Sequence, residues 1–295
     1  VDEIVVMGQI ARDLVLVVDE VPGPGGTAPV RQRREMLGGK GANIAVGLAQ
    51  LGAPVRLVGV VGDDAVGERL LARAAADGIG TEAVVRRAGC ATGLIVDLVV
   101  VNAAADGWRY LEDLPDELLL ADSDVSEDVF ARAGAVVLQL QQPPEVALRA
   151  ARAARGRVVL DGAPPRLGEE LLACADVVRA DHREAELLSG RKIGSADDAL
   201  RAAREVMTRG PGFVAFAVDG VGNVFAWDEG ELVVPLGDVE AVDTTGGGDA
   251  FVAALTFALV RGDGPEEAAG LAVRASGDTV TRPGGRPDLH GLTGR

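Results

Sequence analysis

The feature that most constrains the fold is an alternation running through most of the chain. A short, uninterrupted apolar run is followed by a longer stretch rich in Ala, Leu and Arg. Val55–Val61 leads into Ala65–Asp77, Ala135–Leu140 into Pro144–Arg155, and Val158–Asp161 into Glu169–Cys174, after which Val177–Ala180 opens another round. These apolar runs show no period-two alternation, so neither face of such a strand can be wet. Strand then helix, repeated, predicts a mainly parallel central sheet with helices on both faces. Hydrophobic residues make up 48% of the 295 residues, whereas aromatics make up only 3%, which suits Val- and Leu-rich strands under Ala-rich helices. One large α/β domain over residues 1–295, carrying an appendage, accommodates the length.

Two segments break this rhythm. Asp13–Met36 holds a strand-like run and then Pro22-Gly23-Pro24-Gly25-Gly26; Thr92–Leu111 holds Leu94–Val101, a turn around Ala104–Gly107, and Trp108-Arg109-Tyr110. Both read as hairpin material and predict a small β lid over one end of the main sheet, from about 13–34 and 92–111, with Trp108 and Tyr110 packed in it. Phe213–Asp219 and Asn223–Pro235 read as a late antiparallel edge, and the tail after Pro283 as irregular.

Against 29 basic residues stand 45 acidic ones, a formal charge of −16. Such a surface repels nucleic acid and anionic membranes. An anionic ligand would need backbone N–H groups and a few placed cations. Cys90 and Cys174 have no metal-like spacing and are expected to be reduced and partly buried. His182 and His290 have no cluster around them that predicts zinc. The chain opens on the strand-like Ile4–Gly8, with no leader-like segment before it, and no apolar run is long enough to span a membrane, so a soluble cytoplasmic protein is expected.

The strongest chemical signal is Asp243-Thr244-Thr245-Gly246-Gly247-Gly248-Asp249, running into the helix-forming Ala250–Val260. Glycines at a helix start leave N–H groups open to an anion, and the helix dipole adds positive potential. A carboxylate in the first turn, Asp249, can accept a proton from a hydroxyl beside that anion. The second signal is Gly38-Gly39-Lys40-Gly41-Ala42-Asn43 before the helical Ile44–Leu51. It is not a P-loop, since Gly41 replaces the Ser or Thr that would hold Mg²⁺, and no G-x-G-x-x-G follows the first strand. Gly39, Lys40 and Asn43 are suited to binding a polyol. Gly59–Gly62 with Asp63-Asp64 reads as a strand-to-helix turn with a capping Asp.

Together the two glycine segments resemble the two signatures of the ribokinase-like (PfkB) family of carbohydrate kinases, the first in Gly38–Gly67 and the second in DTTGGGDAF. The resemblance implies a three-layer ribokinase-like α/β fold and transfer of the γ-phosphoryl group of ATP, with Mg²⁺, to a sugar hydroxyl. It implies Asp249 as base and Gly246, Gly247 and Gly248 as anion hole, Gly247 standing where the family usually has Ala. On the acceptor side it implies Asp13, Gly39, Lys40, Asn43 and Gln141. Two departures fall there: Ala11 stands where ribokinases carry a sugar-binding Asn, and Gln141 where they carry Glu. On the nucleotide side it implies Asp181 and Glu184, with Glu184 reaching Mg²⁺ through water, and Ala217, Asp219, Gly220 and Gly222. Asp181 replaces Asn, and Asp219 stands where Gly is commoner. For a monovalent cation, K⁺, the matching positions are Asp243, Thr245, Thr279, Arg282, Gly284 and Asp288. A homodimer through the exposed face of the lid is a further implication.

D-ribose is the first acceptor expected. A nucleoside kinase on the same fold is the nearest rival. A non-catalytic sugar or nucleotide sensor is a rival of another class, motivated by the acidic departures. A nicotinamide-dependent oxidoreductase is weakened by the missing fingerprint.

Overall fold

The computed structural model describes residues 2–101, 108–235, 243–282 and 284–292. The chain enters through β1 (Ile4–Met7), then β2 (Ala11–Val18), β3 (Val30–Gly38), α1 (Lys40–Gln50), β4 (Val55–Gly62), α2 (Ala65–Ala76) and β5 (Ile79–Arg87). It continues through β6 (Leu94–Val100), β7 (Trp108–Asp113), α3 (Glu127–Ala131), β8 (Ala135–Gln139), α4 (Pro144–Ala153), β9 (Arg157–Asp161), α5 (Gly168–Leu172) and β10 (Val177–Asp181). There follow α6 (His182–Ser189), α7 (Ala196–Met207), β11 (Phe213–Val218), β12 (Gly222–Trp227), β13 (Gly230–Pro235), α8 (Gly247–Arg261) and α9 (Pro265–Val280).

The large sheet has the order β13-β12-β11-β10-β9-β8-β1-β4-β5. Neighbours are parallel from β5 to β11, and β11, β12 and β13 form the antiparallel edge. Alternate strand residues feed two separate cores. Ile4, Val6, Val137 and Val177 join the core built with α1, α8 and α9, while Val5, Met7, Val136 and Val178 join the one built with α4, α6 and α7. That two-sided burial is why the strands show no polar alternation. The chain leaves β1 toward β4 and β5 and returns on its other side at β8, so β1 is the switch point, where open α/β sheets place ligands beyond the strand ends.

A second sheet has the order β3-β2-β6-β7, with β2–β3 and β6–β7 antiparallel and β2–β6 parallel. It spans more than the hairpins expected over 13–34 and 92–111, because pairing runs from Ala11 against Gly38 and extends to Leu94 against Asp113. The expected turn at Ala104–Gly107 and the packing of the Trp108 side chain lie outside the described residues. Along β2, Asp13 and Val15 are buried while Leu14 and Leu16 are half-buried, so one face of this sheet turns inward. A side chain at Gly284 would lie 2.7 Å from Met36 and 2.8 Å from Val15, so that inward face rests on the loop after α9.

Two helices begin earlier than their apolar patterns suggest. Gly39, at φ 84°, ends the preceding strand and lets α1 start at Lys40, and Gly246, at φ 70°, lets α8 start at Gly247. These left-handed turns are open to glycine without steric cost. Asp64 caps α2 as expected, accepting from Gly67 N at 2.7 Å. Both cysteines are free and half-buried. No described helix is long and apolar enough to cross a membrane.

Candidate active site

The two glycine segments meet. Asn43 Nδ2 donates to Asp249 Oδ2 at 2.9 Å, joining α1 to α8 across 206 residues of sequence. Asp249 is the third residue of α8, whose start has no side-chain cap. The first i to i−4 bond there runs from Ala250 N to Gly246 O, and Gly247 N reaches back to Thr244 O at 3.4 Å, which leaves the Gly248 and Asp249 amides facing outward from the helix end. Glycine is required at this start, since a side chain at Gly246 would overlap the carbonyl of Gly285. Gly247 packs against α9, where a Cβ would meet Val280 Cγ1 at 2.7 Å. Val280 thus takes the space that an alanine methyl would need.

Burial, and then the nearby Asp161 carboxylate, push the Asp249 carboxyl up to about 6, against the Asn43 bond and the charges of Lys40 and Arg179. A carboxylate tuned toward neutrality can take a proton at physiological pH and release it afterwards. Lys40, in the first turn of α1, is partly desolvated, which lowers its basicity, but Asp161, Asp249 and Glu184 together hold it above the usual lysine range.

Asp13 comes from the small sheet to the same place. It is 7% exposed, and its Oδ1 has no hydrogen-bond partner. Burial, then the charge of Asp249, raise it to about 7, partly offset by the Gly39 N–H. A side chain at Gly38 would overlap the Asp13 carboxylate, which explains the glycine there. Asn43 Oδ1 is likewise buried without a partner. Gln141 lies in the turn after β8 and is exposed, while Gln139 beside it is buried with an unpartnered Oε1.

Asp181 and Glu184 do something the spacing of the two acids does not suggest. Glu184 N donates to Asp181 Oδ1, and Asp181 N donates to Glu184 Oε2, each at 2.8 Å, closing a capping box on α6. One oxygen of each carboxylate is therefore engaged by the helix start. Burial, then Asp161, raise the Glu184 carboxyl, which also lines the space beside Gly162. Ala217 stands next to Asp181 across the β10–β11 pairing, with Gly220 in the turn that follows and Gly222 opening β12. The Asp219 side chain is 94% exposed; only its backbone N–H turns inward, donating to His182 Nδ1 at 3.2 Å.

The loop around Asp243 closes on itself. Asp243 is 1% exposed; Oδ1 accepts from Thr245 N at 2.9 Å and Thr245 Oγ1 at 2.5 Å, and Oδ2 accepts from Gly284 N at 2.7 Å. Thr279 Oγ1 donates to Ala275 O within α9. Asp288 does not join this loop through its carboxylate, which Arg282 holds at 2.8 Å on the surface. No group of three or more His, Cys, Asp or Glu among the described residues is arranged to hold a metal ion.

Three residues beside the site, Arg179, Asp161 and Asp97, escape reasoning from sequence, and Tyr110, expected to pack in the lid, stands with them. Arg179 and Asp161 face each other across β10 and β9 and pair at 3.2 Å, with side chains 13% and 3% exposed. Their signal was present: a lone charge interrupts or ends a buried apolar run, as in Val177-Val178-Arg179 and Val159-Leu160-Asp161. Asp97 and Tyr110 lie opposite each other on β6 and β7. Asp97 is 3% exposed and neither carboxylate oxygen meets a donor; burial, then Asp243, then Asp13 raise it to about 8. Burial and these same carboxylates raise the Tyr110 hydroxyl.

Comparison with known proteins agrees with this geometry. A family model described as "pfkB family carbohydrate kinase" matches residues 1–290. Bacillus subtilis ribokinase is 32% identical over 289 residues, covering 94% of this chain and 92% of that protein. Haemophilus influenzae ribokinase is 29% identical over 289 residues, covering 96% and 94%. The structure of Arabidopsis thaliana ribokinase complexed with ribose and ATP superposes with a TM-score of 0.81 at 25% identity, covering 99% of this chain and 98% of that one. The fold is ribokinase-like, and the chain belongs to the pfkB family as an ATP-dependent carbohydrate kinase.

Proposed function

We propose that the chain transfers the γ-phosphoryl group of ATP to a hydroxyl of a small polyol, with Asp249 as the base and the Gly246–Gly248 amides as the anion hole. One observation carries the reading: a buried carboxylate, tied to Asn43, sits in the first turn of a glycine-opened helix. A hydroxyl bonded to Asp249 would face a phosphoryl group bound at those amides. As the new O–P bond forms and the bond to ADP breaks, the hydroxyl proton passes to Asp249. Developing negative charge meets the helix N-terminus.

The acceptor side favours hydroxyl-rich molecules. Asp13 Oδ1 and Asn43 Oδ1 are buried acceptors that lack a donor within the protein. Bound hydroxyls supply such donors, which offsets a desolvation cost that an apolar ligand would leave standing. Asp13, Gly39, Lys40 and Asn43 are the acceptor residues in this reading, with Gln141 at the rim. The ribokinase relatives make ribose the first acceptor to test. The small sheet would act as a lid that excludes water during transfer. Its outward face, where Leu14, Leu16, Val96 and Leu98 are half-buried and Leu111 is 60% exposed, is where a second copy of the chain would dock.

Mg²⁺ would enter with ATP, and Glu184, whose Oε1 lines the space beside Gly162, would hold its water shell, while Ala217, Gly220 and Gly222 would border the nucleotide. A monovalent cation, K⁺, would be held beside Asp243 by backbone carbonyls near Thr245, Thr279, Arg282 and Gly284, in a loop that Asp243 already orders through Thr245 and Gly284. A panel of sugars and nucleosides with ATP and Mg²⁺ tests the whole. Ribose turnover is expected. Turnover of adenosine or inosine without ribose would move the acceptor to nucleosides. Tight ligand binding without transfer to any polyol would make the protein a sensor.

A further inference from the structure

Arg179 is a buried cation to which the sequence motifs assign no role. Val177, Arg179 and Asp181 alternate along β10, and Val177 belongs to the core beneath α8, so Arg179 projects toward α8. Its guanidinium lies 6.0 Å from the Phe251 ring centroid. It also lies directly against the helix start. A Cβ at Gly248 would meet Nη2 at 2.7 Å and Nη1 and Cζ at 3.1 Å. A side chain at 248 would push this guanidinium away from the helix start.

The group is underused by the protein. A guanidinium carries five N–H donors. Nη1 donates to Asp161 Oδ1 at 3.2 Å, and Nε is buried without a partner. A pair made only for stability would be expected to use the two-pronged geometry that arginine offers a carboxylate. Here one carboxylate oxygen orients the fork and leaves the remaining donors beside Gly248. Asp161, Glu184 and Asp249 all face Arg179 and keep it charged despite its burial. The same three carboxylates would repel an incoming triphosphate, so the site needs a cation aimed at the phosphate, and among the described residues Arg179 and Lys40 stand there.

We propose that Arg179 is a catalytic residue that contacts the phosphoryl group in transfer, with Asp161 as the carboxylate that aims it. The inference rests on the kinase reading above. During transfer the acceptor oxygen bonds to the γ-phosphorus, the bond to the ADP oxygen breaks, and the electron pair leaves with ADP. The proton goes to Asp249. Arg179 changes no bond; it neutralises charge on the oxygens of the moving group, where a planar donor fork is worth most.

The test compares the wild type with Arg179→Lys and with the paired Arg179→Gln/Asp161→Asn, which removes both charges and leaves no stranded carboxylate. Calorimetric titration without acceptor measures binding of ADP, of ADP with aluminium fluoride, and of a β,γ-methylene ATP analogue. The wild type is expected to bind ADP with aluminium fluoride at least about 100-fold more tightly than ADP alone, and the paired variant to lose most of that preference. Turnover should fall by about 10²–10³-fold in the paired variant, with acceptor KM changed less than about twofold. Arg179→Lys keeps the charge without the fork and is expected to lie between, and it carries the test should the paired variant not fold. An unchanged preference and turnover within about threefold of wild type in either variant would overturn the assignment. The nucleotide titrations need no acceptor, so failure of the polyol panel would strike the kinase reading while the binding ratios still judged Arg179.

Discussion

Replacing Asp249 by Asn removes the proton acceptor while keeping the shape of the side chain and an oxygen for the Asn43 amide. A positioned general base contributes about 10²–10⁴ in rate, or about 2.7–5.5 kcal/mol of barrier, and that loss is expected in kcat. The wild-type profile carries a second signature. Burial, then Asp161, raise this carboxyl from 3.8 to about 6, so activity should fall below about pH 6 rather than below pH 4. Each unit further down should cost about tenfold, because only the ionised form accepts the proton. In the variant this acid limb should disappear. Stability should move in the opposite direction from activity. Since the folded carboxyl is raised, its contribution to stability is present below about pH 4 and lost as pH climbs through about 6. Above that the buried charge is the penalised form, and the neutral amide removes the penalty. The thermal midpoint of Asp249→Asn at pH 7.5 should therefore be no lower than that of the wild type. The assay is coupled ADP release at saturating ATP and acceptor from pH 5 to 9, with thermal melts on the same samples. A variant within tenfold of wild-type kcat, or one that keeps the acid limb, would refute Asp249 as the base.

Gly38→Ala places a methyl inside the Asp13 carboxylate, so acceptor KM should rise at least about tenfold while ATP KM stays within twofold, measured by initial rates. Gly247→Ala sets a helix gain of about 0.5–1 kcal/mol against overpacking of about 1–3 kcal/mol on Val280, so melting should show a net loss. In a Val280→Ala background the same substitution should stabilise, because the collision is gone. Asp13 and Asp97 are raised to about 7 and about 8, so their contribution is complete below about pH 4 and lost as pH rises through those values. The ligand-free thermal midpoint should fall between about pH 4 and about pH 8 and level off above, and Asp97→Asn should flatten the upper part of that fall; an unchanged slope would show that Asp97 does not titrate there.

The parts of the site legible in the sequence are those made by local backbone chemistry. Glycines at 38–39 and 246–248 predict tight turns and exposed amides wherever they occur, and Asn43 and Asp249 follow them within one helical turn. The sheet order was legible only as a class, since nothing in apolar runs such as Ala135–Gln139 or Val177–Asp181 says which strand lies beside which; the switch at β1 comes from tertiary packing. The small sheet shows the same division. Its hairpins carried turn signals, yet the parallel pairing of β2 with β6, which brings Asp97 near Asp13 and Asp243, had none.

The acidic departures show why burial, not position in a motif, decides what a charge does. On sequence, Asp181 and Asp219 set two extra negative charges against a triphosphate and argued for a site that had lost its chemistry. In the fold, Asp181 spends one oxygen on the Glu184 amide, and Asp219 points its carboxylate into solvent, where water screens it. Among the buried carboxylates around Arg179, Asp161 carries no motif, standing at the end of a strand, and it comes with its own cation across the sheet. A charge 94% exposed and a charge 3% exposed differ by far more in interaction energy than any exchange of Asn for Asp at a surface helix start. The two acids that argued for a sensor thus lie at the rim, while the interior pairs Asp161 with Arg179 and sets Lys40 beside Asp249.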